Sequence, residues 1–222
     1  MPIDSKEPIL FLTISNYGGI LVVVRYNIME LDVTTEERLK KRALEILEHG
    51  RPGWDGPHTL AAVYWLKELL KAEGGDAHVL VPAMYLHDIG WARSDFENSW
   101  ASIKNAKDEH MEKGVVMARP ILEELGFSEG EMAQIGRLIG MHDKLEQILT
   151  MNEQLIFEAD GLGQIDVERV KSTFKTREDR QKFMSGFENR RVPRFKTVSG
   201  KLFLDKILPK ALEFYDTGVT LN

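Results

Sequence analysis

The doublet His87-Asp88 closes the apolar run Val79-Leu80-Val81-Pro82-Ala83-Met84-Tyr85-Leu86 and is followed at once by Ile89-Gly90. Two polar groups therefore stand where a buried helix stops. Neighbours in sequence point about 100° apart on a helix, so both can grip one ion only near the helix end, and Gly90 is expected to supply that end. The doublet belongs to a longer series, His58, His87-Asp88, His110, His142 and Asp160, which takes four of the chain's six histidines. Neutral imidazole and carboxylate are the usual ligands of borderline first-row ions, several of which accept a mixed nitrogen and oxygen shell. The series points to a metal centre, and only folds that bring its segments to one point can build it.

At 222 residues and 43% apolar content, the chain fits one domain or one domain with an appendage, with enough apolar surface for a substantial core. It contains no cysteine, so disulfides and thiolate ligands are excluded, in keeping with a reducing cytoplasm. The apolar stretch Ile9 to Val24 is interrupted by Ser15-Asn16-Tyr17-Gly18-Gly19 and falls short of the ~20 residues a span needs. Lys6 lies between Asp4 and Glu7 with no small-residue cleavage site after it, which argues against a signal peptide. A soluble cytoplasmic protein without a membrane partner is the expectation.

Residues 9 to 26 carry β-branched side chains on both sides of Asn16-Tyr17-Gly18-Gly19 and predict a two-stranded hairpin. Residues 1–28 then form an N-terminal extension, either part of the fold or a product of an upstream start. Past residue 28 the patterning is helical. Thr34-Thr35-Glu36-Glu37 reads as a capping box for a helix that Gly50 stops. A loop over residues 51 to 57 delivers His58 to a helix running to about Glu73. A helix from Asp108 to Leu125 carries His110 in its first turn, is kinked or split by Pro120, and ends at Gly126. A second capping box, Ser128 to Glu131, opens a helix that ends at His142, and a further helix carries Asp160. His49, in a last helical turn, and His78, beside Gly74-Gly75-Asp76, have local roles in this reading. The fold class is mostly α, with residues 29–168 as the metal-binding helical domain.

Residues 169–222 form a basic helical C-terminal appendage packed on that domain. Its span 169 to 206 holds twelve Lys or Arg against four Asp or Glu, a local balance of +8 in a chain of net charge −6, so the remainder carries −14. The densest part is Arg190-Arg191-Val192-Pro193-Arg194-Phe195-Lys196, either a phosphate-positioning segment or a solvated face.

The segments Trp54-Asp55-Gly56-Pro57-His58-Thr59, Leu86-His87-Asp88-Ile89-Gly90 and Glu158-Ala159-Asp160-Gly161-Leu162 resemble the HD-domain superfamily of metal-dependent phosphohydrolases, over roughly residues 34 to 165. That resemblance implies a helical bundle in which His58, His87, Asp88 and Asp160 hold a first metal. His110 and His142 match the extra histidines of members that bind a second, with Asp88 as the bridge. The implied cofactor is one or two divalent transition ions (Fe, Mn, Zn, Ni or Co). The implied reaction is hydrolysis of a phosphoester or phosphoanhydride of a nucleotide or small phosphorylated metabolite by metal-activated water. Arg93, five residues beyond Asp88, is a candidate for holding phosphate. Relatives that cleave cyclic dinucleotides usually place lysine after His-Asp-Ile-Gly and carry a Gly-Tyr-Pro signature. This chain has Trp91 and lacks the signature. Some members with the same six side chains use two irons to oxidise a polyol or phosphonate, which is the enzymatic rival. A non-catalytic nucleotide or nucleic-acid binding module is the third reading, disfavoured because all six side-chain types are retained.

Overall fold

The computed structural model describes the backbone of residues 10–17 and 20–27 and the full residues 31–92 and 99–218. Strands β1 (Leu10–Tyr17) and β2 (Ile20–Asn27) pair antiparallel, with Tyr17 opposite Ile20 and Leu10 opposite Asn27. The remaining regular elements are helical: α1 (Val33–Leu47), α2 (Asp55–Glu73), α3 (Ala77–Leu86), α4 (Trp100–Glu124), α5 (Glu129–Met141), α6 (Met151–Ile165), α7 (Arg177–Gly186) and α8 (Val198–Thr217).

Most of these helices open on a side chain that accepts a backbone N–H, which satisfies donors left without intrahelical partners. Ser128 with Glu131 and Thr150 with Glu153 form reciprocal capping boxes on α5 and α6. The first helix departs from expectation, because Asp32 rather than Thr34 caps it, accepting from Thr35 N at 2.9 Å. Glu36, in the first turn, takes both Lys67 Nζ (2.5 Å) and Tyr85 OH (2.9 Å).

Helix α4 is the larger correction. It begins at Trp100, capped by Ser99, well before the expected Asp108, so His110 lies mid-helix and not in a first turn. Pro120 neither splits nor ends it. The carbonyl that Pro120 cannot satisfy belongs to Val116, which is 74% exposed, so solvent can meet it. Gly126, at φ 83°, does end the helix as expected.

Helix α3 is buried from Val79 to Leu86, as its unbroken apolar run requires. It packs against α1, α2, α5 and α6, while α2 and α6 form the closest helix pair and α8 covers both. Phe183, Met184, Phe187, Phe195, Phe214 and Tyr215 from the C-terminal segments enter the same apolar core as Leu39, Leu66, Leu86 and Phe157. Among the described residues, no helix is long and apolar enough to cross a membrane.

Gly90 does not end α3 by a left-handed turn. It sits in a short 3-10 turn, Ile89–Trp91, pressed against α4, where a Cβ would lie 1.8 Å from the His110 carbonyl oxygen and 2.7 Å from Gly114 N. The glycine is required by the approach of two backbones, not by φ.

Candidate metal centre

All six side chains of the His/Asp series are buried and converge. His58 comes from the first turns of α2, with Trp54 stacked on its ring at 5.5 Å and 14°. His87 and His142 sit at the C-terminal ends of α3 and α5, where each donates Nδ1–H to the carbonyl three residues back, Met84 at 2.7 Å and Ile139 at 2.8 Å. That hydrogen bond turns Nε2 inward as the available donor atom. His110 projects from the middle of α4 and Asp160 from α6.

The two oxygens of Asp88 face different groups. Oδ2 lies 3.6 Å from His58 Nε2 and 3.5 Å from His87 Nε2. Asp160 Oδ1 lies 3.0 and 3.6 Å from the same nitrogens, which are 3.1 Å apart. On the other side, Oδ1 lies 3.4 Å from His110 Nε2 and 3.6 Å from His142 Nε2, themselves 3.3 Å apart. Nitrogen and oxygen ligands about 2.1 Å from one ion stand about 3.0 to 3.4 Å from each other at octahedral to tetrahedral angles. The distances within the two groups, 3.0 to 3.6 Å, lie at or just beyond that spacing, so each could hold an ion.

The donor set fits a cation on chemical grounds as well. Two imidazole nitrogens facing each other at 3.1 Å need a proton or a metal between them. Burial opposes charge on His87, yet Asp88 and Asp160 outweigh it and push its pKa up to about 9. Burial likewise opposes charge on Asp88 and Asp160, but His87 with other histidines and Arg51 hold the first, and Arg191 with His58 and His87 the second, well below the usual carboxylate range. The buried Nδ1 atoms of His58 and His110 have no hydrogen-bond partner among the described residues, so the polar contacts of those rings are made by their Nε2 atoms.

A surrounding shell escaped the sequence reading. Arg51 donates to Asp88 Oδ2 at 3.0 Å and pairs with the fully buried Asp55, Nε to Oδ1 2.6 Å. Its guanidinium lies 4.3 Å over the Trp91 ring. Trp91 donates Nε1–H to Asp88 Oδ1 at 3.0 Å and stacks on His110 at 4.2 Å. Arg191 donates to Asp160 Oδ2 at 2.7 Å and also to Asp143, whose Oδ1 meets Lys107 Nζ at 2.9 Å. The i, i+4 spacing of Arg51 and Asp55 was a visible signal; the reach of Arg191 to Asp160 across 31 residues was not.

Within the basic segment, Arg191 is thus committed to carboxylates and Arg194 pairs with Glu146. Arg93 lies outside the described residues. His78 pairs with Glu131 at 3.1 Å, a local role as expected.

The HD domain family matches residues 56–164 of this chain. Among solved structures, that of a predicted HD superfamily hydrolase from an uncultured Thermotogales bacterium superposes with a TM-score of 0.52 at 18% sequence identity, covering 82% of this chain and 88% of that one. No curated protein matches the sequence. The family match spans His58 through Asp160, so residues 56–164 of the chain form an HD domain, and the superposed structure shares the helical fold.

Proposed function

We propose that this protein is a metal-dependent phosphohydrolase that cleaves a phosphoester or phosphoanhydride of a small phosphorylated molecule, with two divalent ions drawn from Fe, Mn, Zn, Ni and Co. The observation that carries this reading is Asp88, with one oxygen toward His58, His87 and Asp160 and the other toward His110 and His142. His58, His87, Asp88 and Asp160 would hold one ion, and Asp88, His110 and His142 the other. A bound pair of such ions supplies Lewis acidity that activates water and stabilises the attacking and leaving oxygens of an in-line displacement.

The chain's own residues supply position and exclusion of water. Arg51 and Arg191 grip Asp88 and Asp160, so both carboxylates stay ionised and oriented. Trp54 and Trp91 shield His58 and His110 from solvent by stacking on them. Lys104 and Arg190 line the cavity that Asp88 and His142 also line, where they would offset phosphate charge.

Metal content per chain, read by elemental mass spectrometry on protein purified without chelator, is the deciding measurement. It is paired with aerobic and anaerobic turnover on phosphate esters and nucleotides. Two ions with oxygen-independent phosphate release are expected. Two irons with oxygen consumption and no phosphate release would instead establish oxygenase chemistry. No metal even after reconstitution would end both readings. His142→Ala, under the same assignment, retains one ion per chain and loses the second, because the His58, His87 and Asp160 group is untouched.

A further inference from the structure

The cavity of ≈ 120 Å³ at the centre is built by two parts of the chain. The HD domain contributes Asp88, His142 and Trp91. The C-terminal segment, beyond the family match at residue 164, contributes Phe174, Phe183 and Phe187, which join Trp100 of α4 on the wall. These four rings form one cluster: Trp100 lies 6.5 Å from Phe174 and 5.9 Å from Phe183, and Phe183 lies 5.7 Å from Phe174 and 6.4 Å from Phe187.

The polar side chains on the same wall are largely committed. Lys107 and Arg191 are paired with Asp143, and Arg51 is paired with Asp55 and Asp88. The Gln164 amide donates to Asp160 at 3.2 Å. Lys104 and Arg190 make no ion pair among the described residues, and both suit an anion. Reading a nucleobase edge and a ribose needs several free neutral donors and acceptors, because an unpaired polar group is costly to bury. Here the remaining oxygen of Gln164 is the neutral side-chain acceptor left open on this wall among the described residues.

We infer that the substrate of this centre is a small phosphate ester whose organic group is a flat apolar ring, bound against the Trp100, Phe174, Phe183 and Phe187 cluster. This inference rests on the phosphohydrolase reading for the reaction, but the ring-binding surface can be tested apart from it. The C-terminal segment then sets specificity, while the HD domain carries the metal ligands.

The test uses metal-loaded protein. Initial rates are compared for 2-phenylethyl phosphate, ethyl phosphate and adenosine monophosphate, the first two having leaving alcohols of similar basicity. Binding of benzylphosphonate and methylphosphonate, which carry a P–C bond that phosphoester hydrolysis does not cleave, is measured by calorimetry. The expected result is a preference of roughly 10- to 100-fold for the phenyl compound in kcat/KM and in affinity, the value of burying one ring. Trp100→Ala should shrink both ratios. Preferred binding of benzylphosphonate with no phosphate released from any ester would support the ring site and overturn the hydrolase reading. Phosphate release from all esters without a phenyl preference, or with the nucleotide preferred, would overturn the ring site and leave the hydrolase reading standing.

Discussion

Asp88→Ala is expected to empty the centre: elemental analysis should read well below one ion per chain, and turnover should fall on the order of a thousandfold or more, about 4 kcal/mol of barrier. The reason is that Asp88 is the one side chain whose oxygens serve both groups, with Oδ2 at 3.5 Å from His87 Nε2 and Oδ1 at 3.4 Å from His110 Nε2. Removing it leaves two imidazoles on the second side with no carboxylate from the series to complete a site. It also leaves the Arg51 guanidinium with Asp55 alone and Trp91 Nε1 without its acceptor. Asp88→Asn separates shape from charge, since the amide fills the same space and its oxygen can still accept from Trp91. The charge lost should still cost most of the bound metal, because the side chain that faces both groups would be neutral and Asp143, already paired with Lys107 and Arg191, would be the carboxylate left near His110 and His142. Full retention of two ions by Asp88→Ala would show that this carboxylate is not a bridge.

Gly90→Ala should cost about 3 kcal/mol or more, because overpacking against a backbone that cannot yield exceeds the usual penalty for an added methyl. A Cβ at this position would meet the His110 carbonyl oxygen at 1.8 Å and Gly114 N at 2.7 Å, and neither is the end of a flexible side chain. The helix carrying His110 would have to move away from the turn carrying Asp88. For a chain of this size the loss corresponds to roughly 6 to 12 °C in Tm, and the second ion should weaken with it. Gly130→Ala is the control, since a Cβ there meets nothing within 4 Å. Thermal unfolding of the two variants side by side gives the answer. Equal melting of Gly90→Ala and the wild type would refute the close approach of the two backbones.

Helix ends and ligand types were legible because they are local. The Ser128 and Glu131 capping box, the stop at Gly126 and the placement of His87-Asp88 at the end of a buried helix each depend on a few residues of chain. The same locality explains the errors. Thr34 resembles a cap as well as Asp32 does in isolation, and the choice goes to Asp32 while Glu36 is engaged by Lys67 and Tyr85 from distant helices. Pro120 predicts a break, and exposure of Val116, whose carbonyl loses its partner, lets solvent lower the cost.

By itself the sequence determined a mostly helical chain and the identity of six nitrogen and oxygen donors, since propensity, caps and apolar periodicity are written over short spans. The family resemblance implied how those donors divide around Asp88, and the tertiary structure supplied the distances that allow it. It also decided that Gly90 serves close packing, that Arg191 reaches Asp160, and that Trp100 joins three phenylalanines from the C-terminal segment on one cavity wall. Each of these depends on distances between residues far apart in sequence, which no local pattern encodes.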